Sequence, residues 1–298
     1  MGTRNGGVFL IEQLESIAAQ THETWRLYVS DDGSTDETLE ILTSFAARFE
    51  PGRVTVRSGP KRGFALNFLS LACDPDIEAD FYAFCDQDDR WHPRRLETSL
   101  RWLAGLPPGQ PALYCSRTRY VDKVGRAIGL SPLFAQRPAF RNALVQSLAG
   151  GNTMTYNRAT HSLLFQSGPL EVVSHDWWIY QLVTGCGGTV HYDPEPSVDY
   201  RQHGGNVIGS NSGLMARWWR IREMFFGRFS RWNTLNEEAL KSLGDLLLPE
   251  NRRTLEEFGR ARREGLVGRC CALWRSGVYR QTPLGTLGLW VGTLIRRI

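Results

Sequence analysis

The residues best suited to chemistry are three aspartates that follow a predicted strand. The apolar run at residues 81–85 is succeeded by Asp86, Asp88 and Asp89. Carboxylates repel one another, so such a cluster favours a hard cation with oxygen ligands, and α/β folds place their ligands at the carboxyl ends of strands. The alternative is a solvated acidic turn before a helix that Pro93 begins. The spacing alone leaves both interpretations open.

A second predicted strand also ends in two carboxylates. Residues 27–29 lead into Asp31 and Asp32, followed by Gly33 and Ser34. Taken alone, Asp32 and Ser34 are typical caps of the next helix. Two strand ends with paired aspartates indicate more than capping, because such ends lie on the same edge of a parallel sheet. We therefore predict that both acidic segments face one site.

The elements that must position these residues alternate between helix and strand from residue 8 to about 116. This alternation predicts an α/β fold of βα units around a mostly parallel sheet. The predicted elements are a helix from Phe9, a strand at 27–29, a helix opened by a capping box at 34–37, a strand at 54–56, a helix at 63–71, a strand at 81–85, a helix from Pro93 to Gly105 and a strand at 112–115. Residues 111–202 lack this regularity but include a helix near 176–183, and the chain beyond residue 210 is helical and rich in arginine.

Length, charge and cysteine content limit the classes of protein to which the chain can belong. The chain has 298 residues, 42% of them hydrophobic, which suits one large domain with an additional part. Lys and Arg outnumber Asp and Glu by 35 to 31, and this net charge of +4 is too small to indicate nucleic-acid binding. Six cysteines without CxxC spacing indicate neither a zinc site nor a disulfide framework, which favours a reducing cytoplasm. No leader peptide is visible, and the longest apolar run, 284–295, is shorter than the roughly 20 residues that span a bilayer.

Ordered motifs extend from residue 1 to about 210. They are Asn5-Gly6, Val29-Ser30-Asp31-Asp32-Gly33-Ser34 with Asp36, residues 63–68, Cys85-Asp86-Gln87-Asp88-Asp89, His175-Asp176-Trp177-Trp178, Asp193-Pro194-Glu195-Pro196 and Tyr200-Arg201-Gln202-His203-Gly204. Together they resemble the family 2 glycosyltransferases, and in particular their bacterial rhamnosyltransferase-like branch. The resemblance implies a GT-A fold and the transfer of a sugar from a nucleotide-sugar donor to a hydroxyl acceptor, with inversion at the anomeric carbon.

The resemblance also implies roles for individual residues. Asp88, aided by Asp86, matches the DxD motif and would hold Mg²⁺ or Mn²⁺ against the donor diphosphate. Asp176 matches the catalytic base that deprotonates the acceptor hydroxyl. The implied donor contacts are Thr3, Asp32, Arg62, Asn67, Asp86, Arg201 and His203.

Three residues are implied on the acceptor side. Trp177 and Trp178 offer apolar platforms for a sugar ring, and Asn152 follows a glycine pair that resembles the segment lining the acceptor pocket. The alternatives are core packing for the tryptophans and an ordinary turn for the glycine pair. His175 either orients Asp176 or packs in the core.

The sequence departs from the family at its first residues. Family members carry an apolar strand before the segment that contains Thr3, whereas Met1 stands almost where that strand should end. We therefore expect the first strand to be missing, which would leave backbone N–H and C=O groups of the neighbouring strands without hydrogen-bond partners. We also expect the true start codon to lie upstream. Arg4 replaces the usual tyrosine, whose ring lies against the nucleobase. A guanidinium also stacks and adds positive charge near a diphosphate.

We predict a GT-A domain at residues 1–209, with a nucleotide-sugar half at 1–110 and an acceptor half at 111–209. A basic helical appendage follows at 210–298, with Trp218, Trp219, Phe225 and Phe226 on apolar faces. The appendage either rests on the cytoplasmic face of a membrane through Arg296, Arg297 and the apolar run 289–291, caps the catalytic domain, or forms a dimer contact.

The predicted function is metal-dependent, inverting glycosyl transfer in surface-polysaccharide or O-antigen synthesis. The donor is expected to be a nucleotide sugar such as dTDP-rhamnose, and the acceptor a glycan or a lipid-linked molecule. One alternative is an inactive, glycosyltransferase-like scaffold protein, against which the presence of Asp88 and Asp176 argues. The other is a nucleotidyltransferase, against which the lack of a Gly-rich, basic phosphate loop argues.

Overall fold

A computed structural model describes residues 1–203 and 228–298 of the chain. Its N-terminal part is a parallel sheet of three strands in the order β1-β2-β3, connected by helices. The strands are β1 (Gly2–Thr3), β2 (Leu27–Asp31) and β3 (Val54–Ser58), and the helices are α1 (Gly7–Ala18), α2 (Thr38–Ala46) and α3 (Phe64–Ala72). This is the βα alternation that the sequence predicts.

The second sheet is mixed. It has the order β4-β8-β6-β9-β5, with β7 paired to β6, and its strands are β4 (Phe81–Ala83), β5 (Arg90–Trp91), β6 (Ala112–Val121), β7 (Ala127–Leu130), β8 (Thr155–Asn157) and β9 (Thr189–Arg201). Only β6 and β9 run parallel, and the other four pairings are antiparallel. The α/β fold class is confirmed, but the expectation of a mostly parallel sheet holds only for the N-terminal strands.

Four further helices complete the first 203 residues. They are α4 (Arg95–Ala104), α5 (Phe140–Ala143), α6 (Arg158–Ser167) and α7 (His175–Gly185). All eleven residues of α7 are buried, which is unusual for a helix of a globular protein and requires neighbours on every side. The helix that carries Asp176 is therefore held rigidly inside the molecule.

The C-terminal helices supply some of those neighbours. They are α8 (Arg228–Ser242), α9 (Pro249–Arg263), α10 (Leu266–Ser276) and α11 (Pro283–Leu294). Trp178 of α7 shares one hydrophobic core with Leu240, Phe258 and Leu273. Asn251 Nδ2 also donates to the carbonyl oxygens of Thr184 and Gly185, at 3.1 and 2.9 Å. These helices are thus built onto the catalytic fold, as the capping alternative expects.

The expected domain boundary at 209/210 and the four aromatic residues Trp218, Trp219, Phe225 and Phe226 lie outside the described residues. No helix in the described ranges is both long enough and apolar enough to cross a bilayer.

One local prediction was wrong, and another holds in part. Of the first strand the chain has only the two residues of β1, which pair in parallel with Ser30 and Asp31, and the terminal ammonium of Met1 donates to the Tyr28 carbonyl at 2.7 Å. The residues at 34–37 do not form a capping box, because Ser34 Oγ donates to Asp31 instead, at 2.5 Å. The helix begins at Thr38, whose amide donates to Asp36 Oδ1.

Candidate active site at the acidic strand ends

Asp31 and Asp32 hold the first acidic loop together. Asp31 accepts hydrogen bonds from the Thr3 hydroxyl at 3.0 Å, from the Ser34 amide at 2.9 Å and from the Gly33 amide at 3.1 Å. Burial raises the pKa of Asp31, but these hydrogen bonds outweigh that effect and lower it. Asp32 accepts from the Lys61 amide at 2.6 Å and fixes the loop before α3. Thr3 and Asp32, both predicted donor contacts, are therefore buried residues that hold this loop in place.

The segment after β1 joins the two acidic strand ends. Gln87 Oε1 accepts from the Arg4 amide at 2.8 Å, and Gln87 Nε2 donates to the Arg4 carbonyl at 3.1 Å. Thr3, one residue earlier, is bonded to Asp31. The acidic loops at residues 31–32 and 86–89 consequently lie close together, as the sequence predicts. They do not share one edge of a parallel sheet, however, because β2 and β4 belong to different sheets and β4 pairs antiparallel with β8.

Asp86 is the least neutralised carboxylate of the site. Its side chain accepts no hydrogen bond from any residue of the described ranges, and it is only partly exposed. Burial, followed by the negative charges of Asp88 and Asp176, raises its pKa to about 7. A bound cation would relieve this unfavourable concentration of negative charge.

Asp88 lies beside a histidine from the end of β9. His203 Nε2 and Asp88 Oδ2 are 2.7 Å apart, and the histidine ring packs against Phe9 with centroids 5.1 Å apart. Both side chains remain partly exposed. The chain thus brings a carboxylate and an imidazole, two common metal ligands, to one point from positions 115 residues apart.

Asp89, unlike Asp86 and Asp88, lies wholly inside the protein. It is fully buried, where Asn152 Nδ2 donates to its Oδ2 and the Arg201 amide donates to its Oδ1 at 3.2 Å. Burial and the neighbouring carboxylates raise its pKa well above the usual range. Asn152, predicted to contact the acceptor, is therefore engaged inside the protein and orients Asp89.

Arg201 is likewise a framework residue. Its guanidinium is almost fully buried and donates to the Asp88 carbonyl at 3.1 Å, the Lys123 carbonyl at 2.9 Å and Glu12 Oε2 at 2.6 Å. The structure gives these donors protein acceptors, which corrects the expectation that Arg201 binds phosphate. It fixes the backbone of Asp88 instead.

A second buried charge centre, which sequence reasoning missed, lies just beyond the acidic cluster. Asp199 is 1% exposed and accepts hydrogen bonds from Arg90 at 2.6 Å, Arg119 at 2.7 Å and His92 at 2.8 Å. Burial raises its pKa, but the contacts with His92, Arg119 and Arg90 outweigh this and hold the pKa well below the usual range. The only signal in the sequence was Asp199 itself, directly before the recognised Tyr200 motif.

Asp176 begins α7 and lies within electrostatic range of Asp86. Its Oδ1 accepts hydrogen bonds from the Ser174 hydroxyl and from the Trp177 amide, at 2.6 Å for the latter. No donor in the described ranges reaches its Oδ2. One oxygen is therefore fixed while the other is left for a proton, which is the arrangement that a general base requires.

His175 packs in the core rather than against Asp176. Its ring stacks on Phe68 with centroids 3.9 Å apart, and it meets the edge of Phe84 at 4.7 Å. Burial lowers its pKa to about 4, so the ring is neutral at pH 7. Of the two interpretations of His175, the structure favours packing.

The two tryptophans of α7 are not available to a ligand. Trp178 is fully buried in the core, and Trp177, also buried, donates through Nε1 to the Ala143 carbonyl at 2.6 Å. The prediction that they form an acceptor platform is corrected: the core-packing alternative holds for both. Trp177 serves the site indirectly, through the hydrogen bond that its backbone amide donates to Asp176 Oδ1.

Asn67 and Arg62 occupy different environments. Asn67 is buried, accepts from the Ser30 hydroxyl at 2.6 Å and donates to the Ser30 carbonyl at 2.9 Å, so its amide supports β2. Arg62 is exposed and pairs with Glu171 at the rim of a groove of about 280 Å³. That groove is lined by Arg62, Phe64, Glu171, Val172, Val173 and Leu235.

The side chains of Asp86, Asp88 and His203 are of the kinds that bind a divalent cation. Asp86 and Asp88 supply carboxylate oxygens, which suit Mg²⁺, and the imidazole of His203 adds a ligand that Mn²⁺ accepts. In the described ranges no three such side chains already surround a single point. The unpartnered carboxylate of Asp86 and its raised pKa are the observations that favour a cation.

The fold and the acidic strand ends define an α/β protein of the GT-A type. Residues 1–165 match the family model described as Glycosyl transferase family 2, which is more than half of the chain. The chain belongs to this family and is a glycosyltransferase.

The chain is also similar to curated relatives in sequence and to a solved structure in fold. The chain is 26% identical to the dTDP-rhamnosyl transferase RfbG of Shigella flexneri over 238 residues, which cover 74% of this chain and 78% of RfbG. It is 24% identical to the uncharacterized protein Rv1520 of Mycobacterium tuberculosis over 217 residues, 72% of this chain and 61% of that protein. The structure of S. aureus TarS 1-349 in complex with UDP-GlcNAc is similar in fold, with a TM-score of 0.53 and 15% identity over 93% of this chain and 91% of TarS.

Proposed function

We propose that the protein is an inverting, metal-dependent glycosyltransferase with Asp176 as its base. The observation that carries this proposal is that Asp176, at the start of α7, lies within electrostatic range of Asp86, which shares a loop with Asp88 and whose side chain accepts no hydrogen bond from the described residues. Asp86 and Asp88 would hold Mg²⁺ or Mn²⁺, and His203, 2.7 Å from Asp88, is proposed as a further ligand. A bound cation would supply Lewis-acid stabilisation of the departing diphosphate.

The protein's own residues account for the remaining steps. The free Oδ2 of Asp176 takes the proton of the acceptor hydroxyl as that oxygen attacks the anomeric carbon, while Ser174 and the Trp177 amide hold Oδ1. Attack opposite the leaving nucleotide inverts the anomeric centre. Thr3 and Asp32 form the wall that we propose for the nucleotide, and Asn67 supports that wall from behind through Ser30.

The proposed donor is dTDP-rhamnose, and the proposed acceptor is a glycan or a lipid-linked molecule in surface-polysaccharide or O-antigen synthesis. The similarity to RfbG supports this choice of donor. Synthesis on a lipid-linked acceptor would take place in the cytoplasm at the inner face of a membrane, with the C-terminal helices in peripheral contact with it.

The test is calorimetric titration of dTDP, UDP and GDP, with and without Mn²⁺, into the native chain and Asp88→Ala. We expect one nucleotide to bind in a metal-dependent manner, and Asp88→Ala to weaken that binding by at least about 10- to 100-fold, the loss that even a residue supporting a metal ligand causes. Asp80→Ala is the matched control, because Asp80 is an exposed aspartate in the loop before β4.

Two outcomes would contradict the proposal. If no nucleotide binds with metal, the scaffold alternative gains support. If the chain releases pyrophosphate from a nucleoside triphosphate and a sugar phosphate, it is a nucleotidyltransferase.

We further propose that the acceptor approaches through the groove beside Arg62. The ring of Phe64 in this groove lies edge-on to that of His175, with centroids 6.2 Å apart, and Val173 lies three residues before Asp176, so the groove is near the start of α7. Phe64 is partly exposed, as an aromatic platform for a sugar must be, and the Arg62–Glu171 pair offers polar groups to hydroxyls.

For this groove we predict that Phe64→Ala raises the acceptor KM by about 2- to 10-fold, the effect of one lost aromatic contact. Nucleotide affinity should not change. Phe165→Ala, which removes an exposed phenylalanine outside the groove, serves as the control. An unchanged acceptor KM in Phe64→Ala would place the acceptor elsewhere.

A further inference from the structure

The last 34 residues, 265–298, have an unusual charge composition. They contain five arginines and no lysine, aspartate or glutamate. A soluble surface normally mixes charges of both signs. A segment of one sign that also exposes apolar side chains requires a partner that is both anionic and apolar.

The helix α11 exposes apolar residues on the side that faces solvent. Its inner side buries Leu289, Gly292 and Thr293. Its outer side presents Leu284, Leu287, Val291 and Leu294, whose exposed fractions lie between 40% and 76%. The spacing of 3, 4 and 3 residues places these four side chains in one stripe along the helix. No charged residue lies within α11 to interrupt the stripe.

The neighbouring helix α10 extends this surface. Val267 and Trp274 are seven residues apart and therefore lie on the same side of α10, and their exposed fractions are 77% and 75%. Arg269 lies on the inner side of α10 and donates to the Thr293 carbonyl at 2.8 Å, so the start of α10 lies against the end of α11. The two helices therefore form an antiparallel hairpin, which we call the C-terminal hairpin (residues 266–295).

Exposed cations accompany the apolar stripes. Arg275 follows Trp274, and Arg296 and Arg297 follow the end of α11, all three with exposed side chains. The buried Arg269, by contrast, donates its hydrogen bonds to backbone carbonyls. The hairpin thus has the composition of an interfacial helix pair, with aliphatic and tryptophan side chains bordered by arginines.

We propose that the C-terminal hairpin binds the surface of an anionic lipid bilayer, with Leu284, Leu287, Val291 and Trp274 entering the headgroup boundary and Arg296 and Arg297 contacting the phosphates. Charge favours this partner over a second copy of the chain, because two hairpins that both lack acidic residues would repel each other. This membrane binding rests on the proposed function, in which the C-terminal helices are in peripheral contact with a membrane. Binding to vesicles is nevertheless measured without glycosyl transfer.

The first test is co-sedimentation of the full chain with vesicles of phosphatidylcholine, with and without phosphatidylglycerol. We expect binding to the anionic vesicles, and a loss of at least about tenfold in the variant Leu284→Ser/Leu287→Ser/Val291→Ser, which removes buried apolar area. The matched control is Val124→Ser/Ile128→Ser/Leu133→Ser, which removes equally exposed apolar side chains around β7. Nucleotide titration of each variant shows that the fold is retained.

The second test is electrostatic and uses Arg296→Ala/Arg297→Ala, which leaves the apolar stripe intact. Affinity for anionic vesicles should fall by about 30-fold, roughly fivefold for each arginine near an anionic surface. Binding that is equal in the native chain, both hairpin variants and the control would overturn the inference. A dimer in size-exclusion chromatography that the serine variant abolishes, without vesicle binding, would also overturn it. Neither result depends on which nucleotide sugar the enzyme uses.

Discussion

Asp176→Asn is expected to lower kcat by about 10²- to 10⁴-fold, the usual contribution of a general base. The asparagine keeps an oxygen for the Ser174 hydroxyl and the Trp177 amide, so the start of α7 should remain in place. What it loses is the ability of the second oxygen to take a proton. The affinity for metal and nucleotide should therefore stay unchanged, which separates this variant from Asp88→Ala.

The measurement is steady-state transfer from the donor identified by titration, with Asp80→Asn as the control. Asp80 is also an aspartate but lies exposed on the surface, where it pairs loosely with Arg158 at 3.7 Å. If Asp176→Asn keeps more than about a tenth of kcat, proton removal in this enzyme does not depend on Asp176.

Asp199→Asn is expected to lower the free energy of unfolding by about 3 kcal/mol, the low end of the range for breaking a buried ion pair. The low end applies because Arg90, Arg119 and His92 remain partly exposed and can be hydrated when their partner loses its charge. Urea unfolding at pH 7 measures the effect. Asp80→Asn, which breaks a surface pair, should cost less than about 1 kcal/mol.

The pH dependence provides a second measurement for Asp199. Because its pKa is lowered in the folded state, the carboxylate contributes stability that is fully present above the unfolded pKa of roughly 4 and is lost as the pH falls towards the folded value. The native chain should therefore lose more stability than Asp199→Asn between neutral pH and pH values below about 4. Parallel losses in both proteins would show that Asp199 is not an important stabilising charge.

The sequence predicted the features that depend on local pattern. The helices and strands of the first 105 residues appear in the predicted order, because apolar periodicity and glycine turns are local signals. Asp86, Asp88 and Asp176 were recognised because each lies in a contiguous motif. The proximity of Asp176 to Asp86 did not follow from the rule about strand ends, because Asp176 lies at the start of a helix.

What the sequence did not predict depends on contacts between distant residues. Asn152 and Arg201 looked like ligand contacts, but their partner is Asp89, 63 and 112 residues away. Antiparallel β8 could not be foreseen because its three residues, Thr155–Asn157, form no apolar pattern and carry no information about direction. The contacts of Asp199 with Arg90, Arg119 and His92 likewise join residues that are far apart in the sequence.

The tryptophans show a different reason for error. Adjacent positions on a helix point about 100° apart, close to the width of an ordinary apolar stripe, so amphipathicity alone does not require Trp177 and Trp178 both to face the core. Both do because α7 is enclosed on all sides, partly by helices that follow it in the chain. Periodicity within α7 therefore could not distinguish a buried pair from an exposed platform.

The shared core of α7 and the C-terminal helices has a consequence for biosynthesis. A ribosome makes the chain from its N-terminus, so α7 emerges before Phe258 and Leu273, which complete its surroundings, have been translated. During that interval Trp178 and its neighbours have no apolar cover on one side, and the nascent chain exposes a hydrophobic surface that chaperones recognise. Asp176, the proposed base, thus reaches its final surroundings only late in translation.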